Sequence, residues 1–177
     1  MKAILIVLAL VMSQSIAAPS ISEELRALFD ADQKQRDGTK DWSKATPEET
    51  QAAIREDAAR AKRVRDILTT ETVEAVEDLI HAGTVLMHNP VPEDALAAHI
   101  VFTAAGFKGS SFGRYSAALA LDRYLWLIKR PQALGTYGAS VPRENIITDE
   151  TRRLYCVASP AERQETGRQP LWLRQCP

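Results

Sequence analysis

Alanine crowds two stretches of this chain, from Ala52 to Ala61 and from Ala95 to Ala120, while aromatic residues are sparse. Small straight side chains let helices pack closely and lose little freedom in doing so, whereas sheets draw on β-branched and aromatic residues. The expected fold is therefore mainly α. Two cysteines and a leader-like start set the environment in which it forms. Lys2 is followed by an apolar run from Ala3 to Met12 and by Ser15-Ile16-Ala17-Ala18 ahead of Pro19. The run is too short to span a bilayer, and small residues flank a cut after Ala17, the pattern of a secretory signal peptide over residues 1–17. The expectation is a bacterial-type exported protein, periplasmic or secreted, with no membrane anchor.

About 160 residues then remain, 18–177, the usual size of one domain. Removing Lys2 takes the 22 basic residues to 21 against 23 acidic ones, a formal charge of −2. Neither a nucleic-acid backbone nor an anionic membrane finds an electrostatic partner in that balance. Cys156 and Cys176 are the two cysteines. In an oxidising compartment a disulfide between them is expected, closing a loop of about 20 residues for roughly 3 kcal/mol and pinning an irregular C-terminal tail. They lack the Cys-x-x-Cys spacing of a redox pair.

Capping chemistry and periodicity predict a bundle of about five helices. The first runs from Ile21 to about Arg36, with Ser22 as its cap and Leu25, Leu28 and Phe29 on one face. Thr46-Pro47-Glu48-Glu49 is a capping box with proline in the first helical position. It opens a second helix to about Leu68, with Ile54, Ala58, Ala61, Val64 and Leu68 on its apolar face. A third spans about Glu71 to Met87 and stops at Asn89-Pro90. Pro92 starts a fourth, through Ala98 and Phe102, interrupted by a flexible loop from Gly106 to Gly113. A fifth begins near Gly113 and ends around Arg130-Pro131, and a short helix covers Asp149 to Leu154.

Polar residues embedded in these apolar stretches are the candidates for chemistry. Asp122 falls on the face of Ala118, Leu119, Leu125 and Trp126, where a lone carboxylate loses its water and needs a partner. Arg123, next in sequence, points about 100° away. An antiparallel turn between the third and fourth helices brings His88 towards His99, with Asp122 alongside. Two histidines and a carboxylate can relay a proton, but no His-x-x-x-His spacing is present and no metal or other cofactor is expected. His88, His99, Asp122 and Arg123 are thus the candidate catalytic residues. No nucleophile elbow, phosphate loop or dinucleotide fingerprint occurs.

Ala31-Asp32-Gln33 with Arg36, then His88, Ala98-His99, Leu121-Asp122-Arg123-Tyr124-Leu125, and Arg130-Pro131-Gln132 with Gly135-Thr136 form an ordered series. The series resembles that of a bacterial exported helical domain family of unknown function, with an Asp-Gln-x-x-Arg opening and a closing Gln-x-x-Gly-Thr-Gln turn. The resemblance covers roughly residues 22–165 and departs at Met87 and Tyr137, where the family series carries glutamine. It implies a mainly helical domain and a shared polar site that includes Asp32, Gln33, Arg36, Gln132 and Thr136 as ligand-binding candidates, without naming a reaction. The functional expectation is an exported helical domain, non-enzymatic or ligand-binding, with a buried polar network around His99 and Asp122. One alternative is a hydrolase-like or transferase-like enzyme using His99 or His88 with Asp122. Another is an interaction module for a protein of the cell envelope.

Overall fold

A computed structural model describes residues 19–137 and 148–157. The predicted leader and Cys176 lie outside the described residues, so neither the signal peptide nor the Cys156–Cys176 bridge is placed. The fold is mainly α. Among the described residues six helices follow in order: α1 Ile21–Gln35, α2 Pro47–Thr70, α3 Val76–His88, α4 Pro92–Phe107, α5 Ser111–Leu127 and α6 Asp149–Leu154, with a 3-10 turn at Trp42–Lys44 between α1 and α2. The most extensive packing is α4 on α5 and then α3 on α4, while α1 and α2 close over α3. The main core holds Leu25, Val64, Ile67, Leu79, Val85, Leu86 and Phe102, with alanines from α2 to α5 filling the close approaches.

Two capping boxes start the first helices. Thr46 and Glu49 form the expected one, but at α1 the cap is Ser20, not Ser22, and Glu23 completes its box. Ser22 instead donates from its hydroxyl to Asp78 on α3 at 2.6 Å, linking the two helices. The hydrogen bond from the Ser20 backbone N–H holds Glu23 below the ordinary carboxylate range, and that from Thr46 does the same for Glu49.

Helix α2 corrects its predicted face. Ala61 and Val64 are buried as expected, but Ile54 and Ala58 are exposed, and Asp57 and Ile67 are buried instead. Positions 57, 61, 64 and 67 make the stripe, with Leu68 packed at its edge, so the inward position on the first turns carries a carboxylate rather than an apolar group. Helix α3 starts five residues later than predicted, because Glu71 is extended and the chain stays non-helical to Ala75.

The loop predicted from Gly106 to Gly113 shrinks to Lys108–Ser110, with both glycines inside helices. They serve close packing rather than flexibility. A Cβ on Gly113 would lie 2.8 Å from the Gly106 nitrogen and 2.9 Å from the Ala105 Cβ, so α4 and α5 touch backbone to backbone there. Gly109, at φ +96°, is the left-handed residue that ends α4. The same backbone pattern ends α5 at Lys129 and α6 at Cys156, whose φ values are 62° and 56° without a glycine. The turn at Lys129 sends the chain back along α5, where Asp122 meets it.

Candidate functional site

Asp122 is fully buried on α5, and its carboxylate is occupied by the turn that follows the helix. One oxygen accepts the backbone N–H groups of Ala133 and Leu134 at 2.7 and 2.9 Å. The other accepts the N–H and hydroxyl of Thr136, both at 2.8 Å. A carboxylate has about four acceptor positions, and here all four are used. Gln132, also buried, extends the clamp by accepting the Tyr137 N–H at 2.9 Å. Arg152 on α6 donates to the Leu134 carbonyl at 3.4 Å, while Ala118, Leu134 and Val157 pack into a small apolar cluster beneath the turn. Asp122 and Gln132 therefore take the place of a second layer of backbone partners for a segment that has no helix of its own.

A second network crosses α1, α2 and α3. Asp32, 1% exposed, meets His88 Nδ1 at 2.7 Å, Gln33 Nε2 at 2.9 Å and Arg36 Nη1 at 2.8 Å. Arg36 turns its other terminal nitrogen to Asp57 on α2 at 2.7 Å. Asp57 in turn accepts from Arg60 at 2.6 Å, and Arg60 reaches back to Gln35. Charges alternate from Asp32 through Arg36 and Asp57 to Arg60, so each buried carboxylate has a guanidinium beside it. A third staple joins Asp94 on α4 to Asn89 at 2.5 Å and to Arg65 on α2, fixing the corner between α3 and α4.

Among the described residues His99 and Asp122 share no hydrogen-bond partner, which departs from the expected arrangement. The His99 ring bonds the Ala117 carbonyl at 2.9 Å through Nδ1, and every hydrogen bond of Asp122 goes to the turn. The reason is geometric: an acceptor on the adjoining helix lies directly across from His99, whereas Asp122 is claimed by four donors that would otherwise be buried without partners. His81, the remaining histidine, tilts against Phe29 with ring centroids 4.5 Å apart, its Nδ1 buried without a partner.

The structure does bring Asp32, Gln33, Arg36, His88 and Arg123 together. Arg123 extends from α5 to the end of α3, where Nη2 lies 3.4 Å from the His88 carbonyl. Its Nε is buried with no hydrogen bond, and no carboxylate lies within ion-pair distance of it among the described residues. Because the Asp32 carboxylate accepts, Nδ1 is a donating nitrogen of His88, whose ring is 23% exposed. An imidazole fixed by Asp32 and a guanidinium with no ion pair among the described residues thus both belong to the end of α3 or reach it. Asp122 and Arg123, adjacent on α5 but directed about 100° apart, serve the turn and this cluster respectively.

Sequence reasoning missed Asp57, Arg60, Asn89 and Asp94. The available signal for Asp57 was its place four residues before Ala61 and seven before Val64, on the buried stripe. Among the described residues, no three His, Cys, Asp or Glu side chains are grouped to hold a metal ion, and no helix is long and apolar enough to cross a membrane. No family model, curated protein or solved structure matches this chain.

Proposed function

We propose that this chain is an exported helical domain that binds a small oxyanion through Arg123 and His88, with the networks of Asp32 and Asp122 as its scaffold. One observation carries the reading. Arg36, Arg60 and Arg65 each meet a buried carboxylate, whereas Arg123, half-buried on α5, meets among the described residues only a carbonyl and leaves Nε without a partner there. A guanidinium withdrawn from water is costly unless an anion or acceptor completes it, and a planar fork of N–H groups suits a carboxylate or phosphate. The resemblance of the Asp-Gln-x-x-Arg and Asp-Arg motifs to an exported bacterial family agrees with a shared polar site. Gln132 and Thr136, candidates on the same ground, are read as parts of the turn clamp.

Titration calorimetry of the mature protein with inorganic phosphate tests the reading. Saturable binding that Arg123→Gln weakens by about tenfold, a change of about 1.4 kcal/mol, is the expected outcome. Heats that are indistinguishable between the two proteins would reject it.

A second reading, a hydrolase-like or transferase-like enzyme with His88 as general base, draws on the 2.7 Å Asp32–His88 pair, the arrangement that orients an imidazole for proton transfer. In that reading Asp32, not Asp122, is the orienting group. Export and the Cys156–Cys176 bridge remain part of the proposal. The intact mass of the mature protein is expected to start at Ala18 and to rise by two hydrogens on reduction; retention of Met1–Ala17, or an unchanged mass, would contradict the respective expectation.

A further inference from the structure

We propose that a groove between α4, α5 and α6 binds an amphiphilic carboxylate, with its head at Arg114 and its alkyl chain along Phe107 and Leu154. The groove has a volume of about 380 Å³ and is lined by Thr103, Gly106, Phe107, Arg114, Ala117, Leu154 and Tyr155. That lies within the range of roughly 300–1,000 Å³ typical of small-molecule sites. Its walls are apolar and left open: Phe107 is 88% exposed and Leu154 69%. A single phenylalanine on a surface is ordinary, but here the two side chains flank one concavity.

Arg114 brings the chemistry. It is the one permanently charged side chain of the lining, it takes part in no ion pair or hydrogen bond among the described residues, and its Nη2 is buried without a partner. The residue is held in place rather than free to swing into water, because its Cγ packs over Gly106, where an added Cβ would lie only 2.8 Å away. A cation fixed in an apolar groove selects a ligand that supplies one negative group and otherwise buries hydrocarbon. A neutral apolar partner would cover the guanidinium without compensating it, and that is unfavourable. The site is separate from the Arg123 cluster, since His99 and Ala117 lie between α4 and α5 on this side while Arg123 meets the end of α3.

Calorimetric titration of the mature protein with decanoate tests the proposal. Saturable one-to-one binding is expected, weakened at least tenfold by Arg114→Gln and also by Phe107→Ser, with acetate failing to compete. Phe107 is so exposed that its replacement leaves folding intact, which circular dichroism checks. Absence of saturable decanoate binding, or equal affinity in the wild type and Arg114→Gln, would overturn it. So would a concentration-dependent dimer abolished by Phe107→Ser, because the groove would then belong to a second copy.

Discussion

Replacing Asp122 by alanine is expected to destabilise the folded protein by about 3 kcal/mol or more, since three backbone N–H groups and a hydroxyl lose their acceptor together and unsatisfied buried groups cost about 1–3 kcal/mol each. Relaxation of the turn towards water keeps the total below the simple sum. For a domain of this size a 3 kcal/mol loss corresponds to a fall in melting temperature of roughly 6–12 °C. Asp122→Asn should be milder, at about 2 kcal/mol, because an amide still offers one oxygen. Its nitrogen fits best on the Thr136 side, where the hydroxyl can rotate to accept, leaving the Thr136 N–H unpaired. Hydrogen exchange gives the local signature: the amides of Ala133, Leu134 and Thr136 lose protection ahead of those in the helices. Unchanged melting in both variants would show that the turn does not depend on this carboxylate.

The second large effect is expected at Asp32. Asp32→Ala removes the shared acceptor of His88, Gln33 and Arg36, and breaking one side of a buried charge network typically costs 3–5 kcal/mol. The lower end, about 3 kcal/mol, applies here because Arg36 keeps Asp57. A double-mutant cycle separates this from simple loss of packing. Among the described residues the His88 ring bonds Asp32 alone, so Asp32→Ala combined with His88→Ala should cost less than the two single changes added together, by about 1 kcal/mol. Strict additivity in chemical denaturation would mean that the 2.7 Å contact carries no coupling.

How far the sequence could be read follows from which signals are local. The capping box at Thr46, the prolines at 47 and 92 and the short helix from Asp149 are set by neighbours within one turn, and those elements stand where the pattern puts them. Gly106 and Gly113 look like a flexible loop in the sequence because their role depends on a helix packed against them, which no local pattern reports. The buried carboxylate at 122 was legible from helical spacing. Its partners were not, since the donors come from an irregular turn eleven to fourteen residues later. His99 illustrates the same limit, as a carbonyl of the adjoining helix satisfies it and backbone acceptors leave no mark in a sequence. Asp32, Arg36, His88 and Arg123 were each singled out, but their meeting at one point is a product of how α1, α3 and α5 pack.

Nuclear magnetic resonance of the Arg123 Nε–Hε group during addition of inorganic phosphate tests the central claim most directly, because it observes the unpartnered donor itself. The account predicts a saturable shift of that signal, with half-saturation near 1 mM or below, an affinity of about −4 kcal/mol. The Asp122-bound turn amides should stay still, and Arg123→Gln should fold with a stability within about 0.5 kcal/mol of the wild type. An Arg123 signal that does not move throughout the titration, or a variant that loses several kcal/mol of stability, would contradict it: the guanidinium would then be a structural group and not a binding one.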